Sequence, residues 1–301
     1  MSPPRDSSVP GDLYEGAGRV SLSTDAGPVH VTALAAEGSG PDRFLLLHGN
    51  PGSMLDLAPL LEPLRSIGEV AAYDAPGFGR SPAPADSRAL GLDAFAEVAV
   101  RMLDHLGWSD AILIGHSHGG GVAQRVAHRW HGRVRGLVLL ATLGAPAHLT
   151  YRVFPLPGVE AALAVVGRLL PYLPRPVGEG LVGYFMKETY APSRVGLDAV
   201  QKQYTFLARS PHVLKNMARV TKGSPCDVLE GGAHDIQTPT VFVHGAADSV
   251  VPIRHARGIY ERMERAGRPV RFVAMDGVGH MIAEQEPRRC VRAIRELVEM
   301  T

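Results

Sequence analysis

The sequence predicts an α/β fold built on a mostly parallel sheet, and three features support that prediction. Short apolar runs that resemble buried strands alternate with segments of helical periodicity, which is typical of a parallel sheet covered by helices on both faces. Two alternating segments joined by a turn precede them and predict an antiparallel hairpin. The alternation stops after residue 143 and resumes at residue 238, which predicts an insertion.

The predicted elements follow one another along the chain. The segments "GRVSLSTDAG" (18–27) and "PVHVTALAAEG" (28–38) make the hairpin, with its turn at residues 25–28. Apolar runs predict strands at residues 43–49, 69–77, 110–117, 133–141, 238–248 and 269–280. Helical periodicity predicts helices at residues 54–68, 92–107, 120–132, 253–267 and 284–300.

Residues 144–235 differ from the rest of the chain because they are rich in proline and glycine and carry apolar and aromatic side chains on short helical pieces. Short helices of this kind need a surface to pack on. We therefore expect residues 1–143 and 236–301 to form one core, with residues 144–235 folded over one end of the sheet as a mainly helical cap. Within this cap, Tyr184 and Phe185 are candidates for contact with a substrate.

Charge and composition exclude several classes of partner. The 301 residues contain 31 Lys plus Arg and 30 Asp plus Glu without long blocks of one sign, so nucleic acid is not an expected partner. The N-terminal segment lacks the apolar stretch of a secretory signal, and the longest apolar runs are far too short to cross a bilayer. We expect a soluble, cytoplasmic monomer or homodimer without a membrane span. Cys226 and Cys290 are expected to be two free thiols rather than a disulfide.

The stretch "LIGHSHGGG" (113–121) places Ser117 in a G-x-S-x-G pattern between a predicted buried strand and a predicted helix. This pattern requires a strained turn from strand to helix, and the small residues Gly115 and Gly119 let neighbouring backbone pass closely. The N-terminus of the helix would favour negative charge that develops nearby. The pattern and its context predict that Ser117 is a nucleophile rather than part of an inert glycine turn.

A serine hydroxyl needs a base, and a neutral histidine oriented by a carboxylate is the usual one. His280 follows the last predicted strand, and Asp248 ends the strand before it. Because the carboxyl ends of parallel strands lie at one edge of a sheet, both side chains are expected near Ser117. Asp276 is a weaker alternative to Asp248, since it is too close to His280 along the chain for a comfortable hydrogen bond from loop to loop.

An oxyanion needs two backbone N–H donors. His118, the residue after the nucleophile, is expected to supply one, and the loop in "LLLHGNPGS" after the first central strand the other. Pro51 has no N–H, which leaves Asn50 as the expected donor in that loop. Gly49 lets the backbone come close and is expected beside the substrate.

Five motifs in order, "LLLHGNPGS", "YDAPGFGRS", "LIGHSHGGG", "HGAADSVVP" and "GVGHMIAEQEP", resemble the α/β-hydrolase superfamily in its esterase, haloperoxidase-like and C–C hydrolase branch. The resemblance covers residues 13–143 and 236–301. It implies an acyl-enzyme on Ser117, with His280 as base and then acid, Asp248 as the residue that orients it, and no cofactor. It also implies that the insertion is a cap that lines the acyl pocket.

The chain departs from relatives in that superfamily at two positions. Its "HGNP" motif is similar to that of haloalkane dehalogenases, but those enzymes and epoxide hydrolases use an aspartate where this chain has Ser117. A carboxylate forms an alkyl-ester intermediate and a serine does not, so dehalogenation and epoxide opening are not expected. The second departure is His118, whose imidazole either faces the pocket and selects for a polar group or packs beneath the cap. His116 and His118 form an H-x-H pair without an evident third ligand, so no metal is expected.

The sequence therefore predicts a cofactor-free serine hydrolase that cleaves a small to medium carboxylic ester, with an apolar or aromatic substrate suggested by the composition of the cap. One alternative is hydrolysis of a C–C bond in a vinylogous diketone, which needs the same triad and a group that binds a carboxylate. Another alternative is a non-enzymatic receptor for a small molecule on the same fold. The candidates for carboxylate binding are Arg152, Arg175, Arg194 and Arg209.

Overall fold

The structure is a computed structural model. It describes residues 14–143, 153, 156–190, 192–193, 195–223 and 232–301. Three residues named above, Arg152, Arg194 and Cys226, lie outside the described residues.

Eight strands within the described residues form a single sheet. Their bounds are Gly18–Thr24 (β1), Gly27–Ala36 (β2), Asp42–Leu47 (β3), Gly68–Tyr73 (β4), Ala111–His116 (β5), Val134–Leu140 (β6), Thr240–Gly245 (β7) and Val270–Met275 (β8). They lie in the order β1-β2-β4-β3-β5-β6-β7-β8. β2 pairs antiparallel with β1 and with β4, and all other neighbours are parallel. The predicted hairpin and mostly parallel sheet are confirmed.

The α-helices of the described residues follow most of the predicted positions. Their bounds are Ala58–Arg65 (α1), Leu92–Leu106 (α2), His118–Arg129 (α3), Val159–Leu169 (α4), Arg175–Tyr190 (α5), Leu197–Arg209 (α6), Val213–Gly223 (α7), Ile253–Arg265 (α8), Ile282–Gln285 (α9) and Pro287–Val298 (α10). The prediction of one final helix over residues 284–300 is wrong, because the helix is broken at Glu286. Pro287 disfavours helical backbone at the residue before it and begins the next helix well.

The central strands are apolar throughout because helices cover both faces of the sheet. All six residues of β5 are buried, as are all six of β7. Neighbouring residues of β5 join different apolar clusters: Leu113 belongs to the cluster that includes α2 and α3, and Ile112 and Ile114 to the one that includes α1 and α10. The core is therefore two layers, one on each side of the sheet.

Helices α4 to α7 lie between β6 and β7, within the range predicted to be a cap, and we refer to them as the helical insertion. α4 packs against α7, and α5 packs against α6. The helical insertion carries most of the large apolar side chains that are exposed in the described residues. That it forms a separate cap stays a prediction.

The described residues also bear on two expectations from composition. None of their helices is both long and apolar enough to cross a membrane. Cys290 is a free and buried thiol, and burial raises its pKa to about 12. The expectation for Cys226 lies outside the described residues.

Candidate active site

Ser117 lies in the sharp turn between β5 and α3. Its φ of 52° and ψ of −116° belong to a region that residues other than glycine rarely adopt. The surrounding backbone holds this strained turn. The Ser117 N–H donates to the carbonyl of Leu140 at 2.9 Å, and its own carbonyl accepts from the N–H groups of Gly120 and Leu143, both at 3.0 Å. The serine is therefore fixed at the carboxyl end of the central strand.

Two glycines make this turn sterically feasible. A Cβ atom at Gly115 would lie 2.4 Å from the carbonyl oxygen of Gly119. A Cβ atom at Gly119 would lie 2.1 Å from the carbonyl oxygen of Leu47, in β3. Both distances are far below van der Waals contact, so a larger residue would force the first turn of α3 away from the sheet. The spacing of glycines around Ser117 thus reflects a real close approach of backbone.

His280 and Asp248 come together at the same edge of the sheet, in the loops after β8 and β7. Nδ1 of His280 lies 2.8 Å from Oδ2 of Asp248. Oδ1 of Asp248 accepts from the backbone N–H groups of Val250 and Val251, at 2.9 and 2.8 Å. Asp276 is exposed just after β8. Of the two aspartates weighed above, Asp248 is the one that hydrogen-bonds His280.

A second imidazole also faces the buried Asp248. Nε2 of His244 lies 3.3 Å from Oδ2 of Asp248 and 2.7 Å from the carbonyl oxygen of Val251. Burial by itself would raise the pKa of Asp248, but attraction to His280 and hydrogen bonds from both imidazoles outweigh it and hold the pKa below its ordinary value. The ionised carboxylate accepts from Nδ1–H of His280, so Nε2 of that ring is the nitrogen able to take a proton.

His116, the last residue of β5, packs directly against His280. The two ring centroids are 4.9 Å apart, and Nε2 of His116 lies 2.9 Å from the carbonyl oxygen of His280. Because a carbonyl only accepts, Nε2 of His116 carries the proton. Burial, and next the neighbouring His280, lowers the pKa of His116 to about 3, so this ring is neutral. Within the described residues the Ser117 hydroxyl makes no hydrogen bond to His280, and His116 is the contact that joins the serine turn to the histidine loop.

His118 and the backbone that precedes Asn50 both lie beside Ser117. His118 follows it as the first residue of α3. A Cβ atom at Gly49 would lie 3.2 Å from Cβ of Ser117 and 3.1 Å from Nδ1 of His116. The backbone that leads from Gly49 to Asn50 therefore passes directly beside the serine. A Cβ atom at this position would be in tight contact with both atoms, which favours a glycine here.

The side chain of Asn50 is hydrogen-bonded to the helical insertion. Its Nδ2 donates to the carbonyl oxygen of Met217 and to the hydroxyl of Thr221, each at 3.3 Å. Both residues belong to α7. The side-chain amide of Asn50 thus joins the loop after β3 to the helical insertion. The backbone N–H of Asn50 stays the expected oxyanion donor.

The His118 side chain is 2% exposed and packs edge-on against Phe95, with ring centroids 5.8 Å apart. Together with His48 and Phe78 it lines a cavity of ≈ 20 Å³, which is room for about one water molecule. Burial, and next the neighbouring His48, lowers the pKa of His118 to about 4, so the ring is neutral. The imidazole thus packs against Phe95 and also lines this cavity, and the choice between its two expected roles stays a prediction.

Tyr184 and Phe185, the predicted substrate contacts of the cap, lie on α5. Their rings contact each other, with centroids 5.6 Å apart. They are 74% and 68% exposed, and no contact among the described residues joins them to Ser117. The structure therefore does not bring them to the serine, and their contact with a substrate stays a prediction.

The helical insertion meets the candidate site at the end of α5. The carbonyl of Thr189 accepts from the N–H of His280 at 2.8 Å. The backbone carbonyl of Glu188 accepts from Oγ of Ser249 at 3.0 Å. The loops that carry His280 and Asp248 are therefore both anchored to the insertion, as well as to the sheet.

Three buried histidines that were not predicted to belong to the site lie beside the predicted site residues, namely His48, His116 and His244. Their positions in the sequence are the signal that could have identified them. His116 ends β5, His244 lies within β7, and His48 follows β3 directly. A titratable side chain in a run that is buried on both faces must find hydrogen-bond partners inside the protein, so each of these positions indicates a local polar network.

Comparison with protein families gives a match over most of the chain. A family model described as the alpha/beta hydrolase fold matches residues 42–287. This range begins at β3 and ends where α10 begins, so it includes Ser117, Asp248, His280 and the helical insertion between them.

Individual relatives differ in the reactions that their names give. Haloalkane dehalogenase 2 from Mycobacterium tuberculosis is 30% identical over 271 residues, which cover 86% of this chain and 88% of that protein. A 2-hydroxymuconate semialdehyde hydrolase from Pseudomonas sp. (strain CF600) is 34% identical over 130 residues, 42% of this chain and 46% of that protein. A thermophilic esterase from Thermogutta terrifontis has a similar structure, with a TM-score of 0.74, 22% identity and coverage of 94% of this chain and 99% of the esterase. The last similarity shows a shared fold.

Proposed function

Because the chain belongs to the alpha/beta hydrolase fold family, a family of hydrolases, we propose that it is a serine hydrolase that cleaves carboxylic esters. The substrate is a small molecule, and the reaction passes through an acyl-enzyme on Ser117. The observation that carries the proposal is the 2.8 Å hydrogen bond between Nδ1 of His280 and Oδ2 of Asp248, at the sheet edge where Ser117 is held at a φ of 52°.

The first half of the reaction forms the acyl-enzyme. Oγ of Ser117 attacks the ester carbonyl carbon while Nε2 of His280 takes the hydroxyl proton, and Asp248 stabilises the imidazolium that results. The carbonyl oxygen becomes an oxyanion that accepts from the backbone N–H groups of Asn50 and His118. When the tetrahedral intermediate collapses, the bond to the alkoxy group breaks, and His280 returns its proton to the departing alcohol.

The second half releases the acid. A water molecule attacks the acyl carbon, His280 takes one of its protons, and the same two N–H groups hold the new oxyanion. Collapse breaks the bond to Oγ, and the proton on His280 returns to Ser117. One ester and one water thus give one acid and one alcohol, and the enzyme ends as it began without any cofactor.

We also propose that residues 144–235 act as the cap that lines the acyl pocket. The support is the attachment of the helical insertion to both sides of the candidate site. Thr189 contacts the His280 loop, and the Asn50 side chain contacts α7. An insertion held at these points covers the edge of the sheet on which the nucleophile lies.

Ester cleavage is preferred over dehalogenation despite the similarity to a haloalkane dehalogenase. Dehalogenation by displacement needs a carboxylate nucleophile, whose alkyl ester water can hydrolyse, whereas Ser117 would form a stable ether. A serine does suit attack on an activated carbonyl, as in ester cleavage or C–C cleavage of a vinylogous diketone.

C–C bond hydrolysis is the second candidate function, and the similarity to a 2-hydroxymuconate semialdehyde hydrolase is what favours it. It requires a cation that binds the substrate carboxylate. Of the arginines proposed for this, Arg175 pairs with Glu179 at 2.7 Å on the same helix and Arg209 is exposed at the end of α6. These two are the candidates within the described residues, and both are exposed, so ester cleavage remains the first choice.

The central test is the substitution Ser117→Ala. We expect it to reduce the hydrolysis of p-nitrophenyl esters to background, because the acyl-enzyme cannot form without the Ser117 hydroxyl. Ser109→Ala is a matched control, since Ser109 is exposed and lies just before β5, at the end opposite Ser117. We expect the control to keep full activity and both variants to melt within a few degrees of the wild type. Ester hydrolysis that survives in folded Ser117→Ala would show that the nucleophile is another residue.

A substrate panel separates ester cleavage from the other candidate reactions. Esters of increasing acyl length are compared with a dienoate ring-fission product and a bromoalkane, at equal enzyme concentration. We expect the highest kcat/KM for an ester. Faster turnover of the ring-fission product would assign C–C hydrolysis, halide release would assign dehalogenation, and tight retention of a ligand without turnover would assign a receptor.

A further inference from the structure

His48 lies between β3 and the loop that carries Asn50, and both of its ring nitrogens are hydrogen-bonded. Nδ1 lies 2.7 Å from the carbonyl oxygen of Gly49. Nε2 lies 2.9 Å from the backbone nitrogen of Ala75. The side chain is buried, with its ring 6.0 Å from that of Phe78, so it is held in place by packing as well as by hydrogen bonds.

The two partners of His48 determine which nitrogen carries its proton. The backbone nitrogen of Ala75 can only donate, so Nε2 must be the unprotonated acceptor. The carbonyl oxygen of Gly49 can only accept, so Nδ1 must carry the hydrogen. The ring is neutral in this arrangement. Burial lowers the pKa of His48, because it outweighs the attraction from Asp74, and the lowered pKa keeps the ring neutral.

The Gly49 carbonyl belongs to the same peptide unit as the Asn50 N–H. The described residues contain a cis peptide bond after Asn50 but not before it, so the Gly49–Asn50 peptide is trans. In a planar trans peptide the C=O and N–H bonds point in opposite directions. Fixing the direction of the Gly49 carbonyl therefore fixes the direction of the Asn50 N–H.

This peptide unit lies next to Ser117. A Cβ atom at Gly49 would be only 3.2 Å from Cβ of Ser117, so the peptide begins directly beside the serine turn. A chain of two hydrogen bonds thus runs from Ala75 through His48 to the Gly49 carbonyl. Hydrogen bonds in such a chain polarise one another, which strengthens the N–H at the far end of the peptide as a donor.

We propose that His48 is a positioning residue that orients the Gly49–Asn50 peptide and so presents the Asn50 N–H to the oxyanion formed at Ser117. The inference rests on the proposed function, because it needs an oxyanion at that position. His48 itself touches no reacting atom. It acts only through the peptide, and its contribution appears when negative charge develops on the substrate oxygen.

Two substitutions separate the hydrogen-bonding role of His48 from its packing role. In His48→Asn the side-chain amide nitrogen takes the place of Nδ1 and can still donate to Gly49. In His48→Gln the amide takes the place of Nε2 and can accept from Ala75 but no longer reaches the Gly49 carbonyl. His131→Gln, at an exposed histidine, is the control for the change of residue type.

We expect His48→Gln to lower kcat for a p-nitrophenyl ester by about 10- to 100-fold, somewhat less than the loss of an oxyanion donor outright, with KM within about twofold of the wild type. The affinity for a trifluoromethyl ketone, which forms a tetrahedral oxyanion adduct with a serine, should fall in proportion to kcat. His48→Asn should stay within about fivefold of the wild type, because it keeps the donor. His131→Gln should be unchanged.

The outcomes distinguish this inference from the proposed function. Equal activity in folded His48→Asn and His48→Gln, whether both high or both low, overturns the positioning role of His48. Activity that survives Ser117→Ala overturns the proposed function instead. If neither variant folds, the tautomer in the wild type decides: ¹⁵N spectra of histidine-labelled protein should show His48 protonated at Nδ1, and protonation at Nε2 would rule the inference out.

Discussion

Removal of the Asp248 carboxylate is expected to slow ester hydrolysis strongly, because this carboxylate orients the base His280. In Asp248→Asn the amide can donate to Nδ1 of His280, which would place the proton of the ring on Nε2 and prevent it from acting as a base. We expect kcat for ester hydrolysis to fall by about 10³- to 10⁴-fold with little change in stability. Steady-state kinetics at pH 7 to 8 measures the loss.

Asp276→Asn is the matched control for this substitution. Asp276 precedes His280 by four residues and is exposed, whereas Asp248 is buried and lies 2.8 Å from the imidazole. We expect Asp276→Asn to keep activity within about twofold of the wild type. A larger loss in Asp276→Asn than in Asp248→Asn would mean that the other aspartate orients His280.

Single residues were predictable where their position along the chain carried the information. Ser117, Asp248 and His280 each follow a strand of the parallel sheet, and residues at such positions meet at one edge whatever the details of packing. His48 was not predictable in this way. The role proposed for it depends on which backbone groups face its two nitrogens. Those groups come from Gly49, next to it, and from Ala75, in another loop.

Two glycines of α5 test how the helical insertion is packed. A Cβ atom at Gly178 would lie 2.3 Å from Cε2 of the buried Tyr204 in α6, whereas a Cβ atom at Gly180 would meet no atom within 4 Å. We expect Gly178→Ala to destabilise the protein by about 1–2 kcal/mol through overpacking. Gly180→Ala should stabilise it by about 0.5–1 kcal/mol, because alanine loses less conformational entropy in a helix.

Urea denaturation followed by far-ultraviolet circular dichroism measures the change in unfolding free energy in Gly178→Ala and in Gly180→Ala. The two glycines are two residues apart on one helix, so each variant controls for the other. Equal effects of the two substitutions would contradict the packing of α5 against Tyr204.

Elements were predicted best where periodicity was strong and least well at their ends. The strand and helix alternation in the core follows from burial on both faces of the sheet and needs no knowledge of partners. The break between α9 and α10 was missed, because the apolar stripe of the segment continues across Glu286 and hides the effect of Pro287 on its backbone. Local backbone chemistry overrides periodicity at such a point.

At the scale of the whole molecule, the joint between the sheet and the helical insertion contains a buried carboxyl group. Oδ2 of Asp56 accepts from the Ser53 N–H at 3.1 Å in the segment before α1. Nearby, Nζ of Lys202 in α6 pairs with Oε1 of Glu284 in α9 at 2.9 Å. Burial raises the pKa of Asp56 to about 7. Attraction from Lys202 lowers this pKa, whereas repulsion from Glu284 and Asp74 raises it further.

This raised pKa predicts that stability depends on pH. The folded protein keeps the Asp56 proton up to about pH 7, whereas the unfolded chain releases it near the ordinary value of 3.8. The favourable contribution of the protonated group is therefore fully present below about pH 4 and is lost as the pH rises through 7. Between pH 5 and pH 8 this amounts to roughly 2–3 kcal/mol of unfolding free energy at most.

Asp56→Asn should remove that part of the pH dependence, since an amide can accept from Ser53 without ionising. We expect the variant to gain stability relative to the wild type at pH 8 and to gain less at pH 5, as measured by urea denaturation. Asp25→Asn, at an exposed turn between β1 and β2, should show the same small difference at both pH values. A gain that is equal at pH 5 and pH 8 would contradict a raised pKa at Asp56.

The order of strands and the contacts of the insertion could not be predicted from the sequence. Periodicity tells which residues of β4 are buried, but not that β4 lies between β2 and β3. The attachment of the insertion depends on single hydrogen bonds, such as that from the His280 N–H to the Thr189 carbonyl, between segments that are far apart along the chain. Such pairings leave no pattern in either segment.

The order in which the chain contributes its site residues has a consequence for biosynthesis. Ser117 follows β5, whereas Asp248 and His280 both come after the helical insertion, in the last quarter of the chain. A ribosome therefore completes the serine turn long before it makes the pair that activates it. A serine hydroxyl without its base is a poor nucleophile. Under the proposed mechanism, the nascent polypeptide therefore stays inert towards esters until its final strand has been translated and has joined the sheet.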